Sequence, residues 1–197
     1  MKTLIFSASL LFLAQLCASA VDLGSTTSQT PYDRYMAPVK QTFAGIRGEG
    51  ATMQKVQALM RQGRSFRYAH TEPYYPAHPR ETAAKRKGDC KDKALWLIDQ
   101  LQDPSARFVI GKEKRGARLS HAWVMWENEG QWWILDCTMT SKPMPADRVS
   151  INKYVPLYSW ARHASFRHSE NAGRVADVAG KNRAPVASPA SRRLAAN

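Results

Sequence analysis

The chain has 197 residues, in which 29 lysines and arginines oppose 16 aspartates and glutamates, for a formal charge of +13 with histidine neutral. Hydrophobic residues make up 44% and charged residues 23% of the sequence, a balance that excludes a wholly disordered protein and fits a globular domain. Three cysteines and five histidines are too few for a disulfide-rich scaffold, and we expect neither a metal nor another cofactor.

Residues 1–20 have the pattern of an export signal. A short basic start precedes the apolar run 4–16, which is shorter than the about 20 residues that a membrane-spanning helix needs. Ala18-Ser19-Ala20 then has the small-x-small form of a signal-peptidase site. A lipoprotein site at Cys17 is not predicted, because the residue before it is bulky. The mature chain is predicted to begin at Val21, to be periplasmic or secreted, and to contain no transmembrane segment.

The remaining sequence divides into three parts. Residues 21–30 are a polar lead-in. Residues 31–171 contain the aromatic and aliphatic side chains of one domain of the commonest size. Residues 172–197 have no aromatic residue and five basic residues against one acid, so we predict that they form a disordered basic tail.

Helical spacing of apolar residues is clearest in two segments. Residues 49–62 form one predicted helix, with Thr52 as its cap and Gly63 as its end signal. Residues 90–102 form the other, with apolar residues on one face. A further helix is predicted within 31–44.

The remaining elements are predicted to be strands and loops. Ser65–Tyr68 reads as a short strand, residues 69–84 as an irregular loop and Arg107–Gly111 as a strand. Ser120–Trp126 and Gln131–Thr138 are aromatic and β-branched runs separated by a short polar segment, which predicts a β-hairpin. Helices followed by an antiparallel sheet indicate an α+β fold.

All six tryptophans lie between Trp96 and Trp160, four of them on the predicted hairpin. A row of exposed aromatic rings can stack nucleic-acid bases. We interpret these rings as core because each buries a large apolar area. No specific nucleic-acid binding is therefore predicted.

Cys90 is the first candidate for chemistry. It lies at the start of the predicted helix 90–102, where a thiolate faces unpaired N–H groups and the positive end of the helix dipole. Basic residues surround it in sequence and also favour the thiolate. The alternative is a small buried hydrophobic residue, but the charged neighbours Asp89 and Lys91 argue against an apolar pocket.

The predicted hairpin supplies two further candidates. With the two-residue loop Asn128-Glu129, or with a four-residue loop, continued pairing brings His121 directly opposite Asp136 on one face, with Cβ atoms about 5 Å apart. The carboxylate would then fix the tautomer of the imidazole and leave its other nitrogen for a nucleophile. A three-residue loop would remove this pairing.

These residues resemble a known family. Gly88-Asp89-Cys90-Lys91-Asp92-Lys93-Ala94, His121-Ala122-Trp123-Val124 and Trp133-Ile134-Leu135-Asp136 are similar, in order and spacing, to the transglutaminase-like superfamily, near the bacterial transglutaminase-like cysteine proteinases. The resemblance implies a papain-like catalytic triad of Cys90, His121 and Asp136. It also implies a nucleophile helix packed on an antiparallel sheet.

The chain departs from this family in two ways. Members with a calcium site near the nucleophile carry acids on both sides of the cysteine, whereas here Lys91 follows Cys90, so no calcium is predicted. Cys137 directly follows Asp136, and strand alternation predicts that it points to the opposite face. A disulfide between Cys137 and Cys90 is therefore not expected.

The resemblance implies acyl transfer through a thioester on Cys90, with a protein or peptide as substrate. Water would complete the reaction of a peptidase or amidase, and an amine that of a transglutaminase, and the sequence does not choose between them. The charge of +13 supports a different class, a basic module with an inactive fold that binds an anionic envelope polymer. A salt-dependent affinity for polyanions that survives Cys90→Ala would favour the binding module.

Overall fold

The computed structural model describes residues 23–72, 74–150 and 152–169. The predicted signal peptide, residues 1–20, and the predicted tail, residues 172–197, lie outside these described residues. None of the described helices has both the length and the hydropathy needed to span a bilayer.

The two N-terminal helices lie close to their predicted positions. Helix α1 (Ala37–Gly45) has a proline in its first turn, where a missing N–H breaks no helical hydrogen bond. Helix α2 (Met53–Ser65) has the predicted cap, since the side chain of Thr52 accepts from the N–H of Lys55 at 3.3 Å. The predicted end of α2 at Gly63 is wrong, because the helix continues to Ser65.

Gly63 is a place of close packing instead of a helix end. A Cβ atom added there would lie 2.7 Å from the sulfur of Cys137 and 2.7 Å from the ring of Trp96. The glycine therefore lets α2 approach these two side chains more closely than any other residue would allow.

We expect Gly63→Ala to lower the free energy of unfolding by about 1–3 kcal/mol, the usual effect of overpacking a core. This loss exceeds the about 1 kcal/mol that alanine gains over glycine in a helix. Gly45→Ala, at the end of α1, is the matched control, because its added Cβ meets no atom within 4 Å. Urea unfolding should show no loss for the control. Equal effects at both positions would contradict this interpretation of Gly63.

The prediction of an irregular loop over residues 69–84 is wrong at its end. Helix α3 (Pro79–Lys85) begins there, with Pro79 in its first position and the ring of His78 accepting from the N–H of Arg80. A Glu81–Lys85 ion pair joins adjacent turns. The three prolines of the segment favour the loop interpretation, but proline is also common at the first turn of a helix.

Helix α4 (Cys90–Leu101) confirms the clearest helical prediction and starts at Cys90. Its start is a capping box. The side chain of Asp89 accepts from the N–H groups of Lys91 and Asp92, and the side chain of Asp92 accepts from the N–H of Asp89. The first turn of the helix that carries Cys90 is therefore fixed by local hydrogen bonds.

The described strands are β1 (Ser25–Thr27), β2 (Arg67–Tyr68), β3 (Lys87–Gly88), β4 (Arg107–Lys114), β5 (His121–Asn128), β6 (Gln131–Leu135), β7 (Met144–Pro145), β8 (Lys153–Trp160) and β9 (Ser165–Arg167). The helices pack against a seven-stranded sheet in which every neighbouring pair is antiparallel, in the order β1-β9-β8-β4-β5-β6-β7. A separate parallel pair, β2 and β3, leads into α4. This architecture confirms the α+β prediction.

The hairpin β5–β6 exists, but its predicted register is wrong. Asn128 pairs with Gln131, so the loop is Glu129-Gly130. Both loop residues have positive φ, 54° and 75°, which is the backbone of a type I′ turn and favours glycine. Continued pairing therefore brings Trp123, and not His121, opposite Asp136. Because the shift is two residues, His121 stays on the same face as Asp136, as its diagonal neighbour.

The sheet also includes strands that the sequence analysis did not predict. β8 pairs with β4 in the middle of the sheet, and β9 pairs with both β8 and β1. Part of the polar lead-in, Ser25–Thr27, is thus an edge strand. The pairings of β8 with β4 and of β9 with β1 join segments that are distant in sequence.

The main core lies between the helices and the sheet, and a smaller apolar cluster covers the other face. Trp96, Trp123, Trp126 and Trp160 are buried, which confirms the core interpretation for four of the six tryptophans. Trp132 and Trp133 are half-buried.

Candidate active site

Cys90 is the first residue of α4 and is half-buried. The parallel pair β2–β3 ends directly before it. Among the described residues, the N–H of Cys90 has no hydrogen-bond acceptor. A free N–H at a helix N-terminus is an available donor for an oxyanion.

His121 is the first residue of β5, and Asp136 directly follows β6. Their side chains meet, with Nε2 of His121 2.7 Å from Oδ2 of Asp136. Asp136 is buried, and only 12% of the His121 side chain is exposed. Since Nε2 is engaged, Nδ1 is the nitrogen that remains for Cys90. This arrangement orients the imidazole as a triad requires.

The electrostatics of the pair favour a charged imidazole. Burial lowers the pKa of His121, but the hydrogen bond to Asp136, the interaction with Cys90 and the charges of both groups outweigh it and raise the pKa to about 10. A charged imidazole beside a cysteine is the arrangement that papain-like chemistry uses.

Asp136 is held by four hydrogen-bond donors. Besides His121, its carboxylate accepts from the N–H groups of Thr138 at 3.0 Å and Met139 at 3.3 Å, and from the hydroxyl of Tyr154 at 2.9 Å. The two N–H groups form a tight turn that ends β6 at Leu135, three residues earlier than predicted.

Tyr154 is a site residue that no sequence pattern indicated. Tyr154 is buried on β8 and has a φ of 52°, an unusual conformation for a bulky side chain. Burial, and then the charge of Asp136, raise the pKa of its hydroxyl, so the hydroxyl stays a donor. Its segment offered no local signal beyond an aromatic run, because β8 meets Asp136 only through the tertiary fold.

We expect Tyr154→Phe to lower the free energy of unfolding by about 1–2 kcal/mol and the reactivity of Cys90 by a few-fold. The ring keeps its packing against His121 and Trp123, while Asp136 loses one donor. Urea unfolding and the alkylation rate of Cys90 measure the two effects. Tyr75→Phe is the control, because Tyr75 is exposed. Wild-type values for both quantities in Tyr154→Phe would contradict the positioning role.

Cys90 and Cys137 are both free thiols. Cys137 is buried beneath α2 and α4, where its sulfur contacts the carbonyl of Lys93 at 3.9 Å. Burial, and then the charge of Asp136, raise the pKa of Cys137 to about 12. The two cysteines are not bonded to each other, as predicted.

Calcium, which the resemblance associates with acids flanking the nucleophile, does not fit the residues found here. The ammonium of Lys91 lies in the oxygen-rich space beside Cys90, bonded to Asp89 and to both oxygens of Thr71. Lys91 and the neighbouring Lys93 are both buried. These two basic residues, which are close to Cys90 in the sequence, are therefore not on the surface, where a polyanion would bind.

A groove of about 620 Å³ lies on the side of the sheet where Tyr154 is buried. Met139, Met144, Val149 and Tyr154 line its apolar part, and the groove is not lined by Cys90, His121 or Asp136. Of the exposed side chains, Tyr68 lies within electrostatic reach of Cys90, and Leu119 precedes His121 by two residues in the chain.

The sheet, with the cysteine-bearing helix packed on it, defines a transglutaminase-like fold. Among solved structures, the chain is similar to Legionella pneumophila LapG, a transglutaminase-like cysteine protease. The EGTA-treated form matches with a TM-score of 0.50 and 16% identity over 72% of this chain and 80% of that chain. The calcium-bound form gives 0.49 and 16% over 71% and 81%.

A Cytophaga hutchinsonii protein, described as a candidate cysteine protease, gives a TM-score of 0.38 and 23% identity over 53% of this chain and 39% of that chain. The sequence matches no family model and no curated protein. At these identities, the similarity to LapG concerns the fold.

Proposed function

We propose that the protein is an exported thiol enzyme of the acyl-transfer type, a cysteine peptidase or amidase that acts through a thioester on Cys90. The observation that carries the proposal is the contact between His121 and Asp136 beside a cysteine at a helix N-terminus. Cys90, His121 and Asp136 are the proposed catalytic residues.

The reaction follows from the orientation of the imidazole. The Cys90 thiolate attacks a carboxamide or peptide carbonyl, and the N–H of Cys90 stabilises the oxyanion that forms. The imidazolium of His121 then gives its Nδ1 proton to the departing amine as the C–N bond breaks, which leaves a thioester. Neutral His121 next accepts a proton from water as the water oxygen attacks the thioester carbonyl, and the C–S bond then breaks, which releases the carboxylic acid and restores the Cys90 thiolate beside the His121 imidazolium. An amine in place of water gives transamidation.

A polypeptide is the proposed substrate class. Cys90 is half-buried, and the exposed aromatic side chain of Tyr68, which lies within electrostatic reach of it, offers an apolar contact to a peptide. LapG, whose fold is similar, is a cysteine protease, which supports this choice.

Export is proposed from the sequence of residues 1–20. Expression of the full chain in a bacterial host should yield a processed protein in the exported fraction. Its N-terminal sequence is expected to start at Val21. A retained Met1 in that fraction would contradict the predicted cleavage.

The function is tested by a screen of peptide cleavage and of amine incorporation, with wild-type protein and Cys90→Ala in parallel. We expect activity in the wild type only, and hydroxylamine should trap the acyl group as a hydroxamate. Polyanion binding that is equal in both proteins, with no acyl transfer in either, would favour the basic binding module.

A further inference from the structure

Two carboxylates are buried at the N-terminus of α4, on either side of Cys90. Asp89 is 2% exposed and Asp92 is 1% exposed. Buried carboxylates need a compensating charge, because desolvation is costly for an unpaired ion. The helix dipole supplies part of it, and the ammonium of Lys91 lies within the cluster.

The ammonium of Lys91 uses all three of its hydrogens. It donates to Oδ2 of Asp89, to the carbonyl of Thr71 at 3.1 Å and to the hydroxyl of Thr71 at 2.9 Å. A lysine has three donors, so its hydrogen bonding is complete. Its side chain is 6% exposed.

The same carboxylates bind the loop that precedes α3. The N–H of Thr71 donates to Asp89, and its hydroxyl shares its single hydrogen between Asp89 at 3.2 Å and Asp92 at 3.0 Å. The N–H of Ala77 donates to the other oxygen of Asp92 at 2.8 Å. The cluster therefore joins the 69–77 loop to the first turn of the helix that carries Cys90.

These ligand types are those that calcium prefers, since it takes carboxylate and carbonyl oxygens. A cation bound among the Asp89 and Thr71 oxygens would have to displace the Lys91 ammonium. Within the described residues, no group of three or more His, Cys, Asp or Glu side chains is arranged for a metal.

We propose that the Lys91 ammonium is the resident cation of this cluster and takes the place of a divalent metal. Lys91 is thus a positioning residue. It neutralises the buried carboxylates, holds the 69–77 loop on α4 and keeps the Cys90 turn in place without calcium.

The experiment compares the full-length wild-type protein, Lys91→Met, Lys91→Glu and the control Lys85→Met in EGTA and in millimolar calcium. The readouts are the thermal unfolding midpoint and the rate of Cys90 alkylation. Lys85 is exposed and lies outside the cluster. For the wild type, and likewise for Lys85→Met, we expect the unfolding midpoint in EGTA to equal the midpoint in calcium.

Lys91→Met should lower the midpoint by about 10 °C in both buffers, because it leaves the carboxylates unpaired. Lys91→Glu should lose as much in EGTA and regain at least half of the loss in calcium, since a third carboxylate completes a set of oxygen ligands. The alkylation rate of Cys90 should fall and recover with the midpoint.

Three results would overturn the proposal: a wild-type midpoint that falls in EGTA and returns with calcium, a Lys91→Met protein as stable as the wild type, or a Lys91→Glu protein that calcium does not stabilise. If a variant fails to fold in every buffer, the wild-type comparison in EGTA and calcium still decides. The midpoints do not depend on acyl transfer, so the proposal can fail or stand separately from the proposed function.

Discussion

Replacing Cys90 with alanine is expected to abolish acyl transfer, and replacing His121 with alanine is expected to slow it at least about 1,000-fold. The first change removes the nucleophile. The second removes both the positive charge that favours the thiolate and the group that gives a proton to the departing amine. Rates with the peptide found in the activity screen would measure both effects.

Alkylation by iodoacetamide at pH 7, followed by mass spectrometry, measures the thiol without any substrate. In the chain that begins at Val21, which lacks Cys17, we expect one label per molecule, on Cys90, and a rate at least about 10-fold lower in His121→Ala, because the positive charge beside the sulfur is lost. Cys137→Ala is the matched control. It should label like the wild type, since Cys137 is buried and its pKa is raised to about 12. Equal labelling of wild type and His121→Ala would contradict the proposed ion pair.

Asp136→Asn is expected to lower acyl transfer by about 10,000-fold while the chain still folds. The asparagine oxygen can keep the N–H bonds from Thr138 and Met139 and hence the turn. Its amide group, however, donates toward Nε2 of His121, which favours the tautomer with hydrogen on Nδ1. The neutral imidazole then cannot accept a proton at the nitrogen that faces Cys90.

The same variant should change the pH dependence of Cys90 alkylation. In the wild type the pKa of His121 is about 10, so the imidazolium persists up to that pH and is lost above it. Without the carboxylate, the imidazolium is lost at a lower pH. The change in the Cys90 alkylation rate that the wild type shows at alkaline pH should therefore occur at a lower pH in this variant. Asp147→Asn, at an exposed carboxylate, is the control and should keep the wild-type profile.

The free energy of unfolding should show the linked effect. The folded pKa of His121 lies above the unfolded value of about 6.5, so between pH 6.5 and about 10 the imidazole holds a proton in the native state that it lacks in the unfolded chain. This stabilisation is complete below about pH 6.5 and is lost as the pH rises to about 10. Urea unfolding over this range should show a smaller decrease for Asp136→Asn than for the wild type. Identical slopes would contradict the assignment of this proton to His121.

The elements that were predicted correctly depend on neighbours in the chain. Thr52 caps α2, and the helix that starts at Cys90 follows from local spacing, because caps and helical faces involve residues within one or two turns. Helix α3 was missed because the prolines of residues 69–84 are compatible with both a loop and the start of a helix. The strand β8 was missed because its partner β4 lies far away in sequence.

In the candidate site, too, some contacts follow from the local sequence and others only from the tertiary fold. His121 and Asp136 were predicted to share a face of the hairpin, and they do, although the predicted register was wrong. A two-residue shift preserves the face of every side chain, so the contact survives as a diagonal pair. The register is set by the turn at Glu129-Gly130, in which both residues have positive φ values. The sequence is compatible with several loops and does not indicate which of them forms.

The sequence alone therefore determined the residue types and the order of the chemistry: a cysteine at a helix start, then a histidine and an aspartate on paired strands. Only the tertiary structure decided what supports them. The hydroxyl of Tyr154 reaches Asp136 from β8, and the ammonium of Lys91 is enclosed by Thr71 and Asp89. A hydrogen bond between distant segments depends on where both chains run in space, and no local pattern encodes that position.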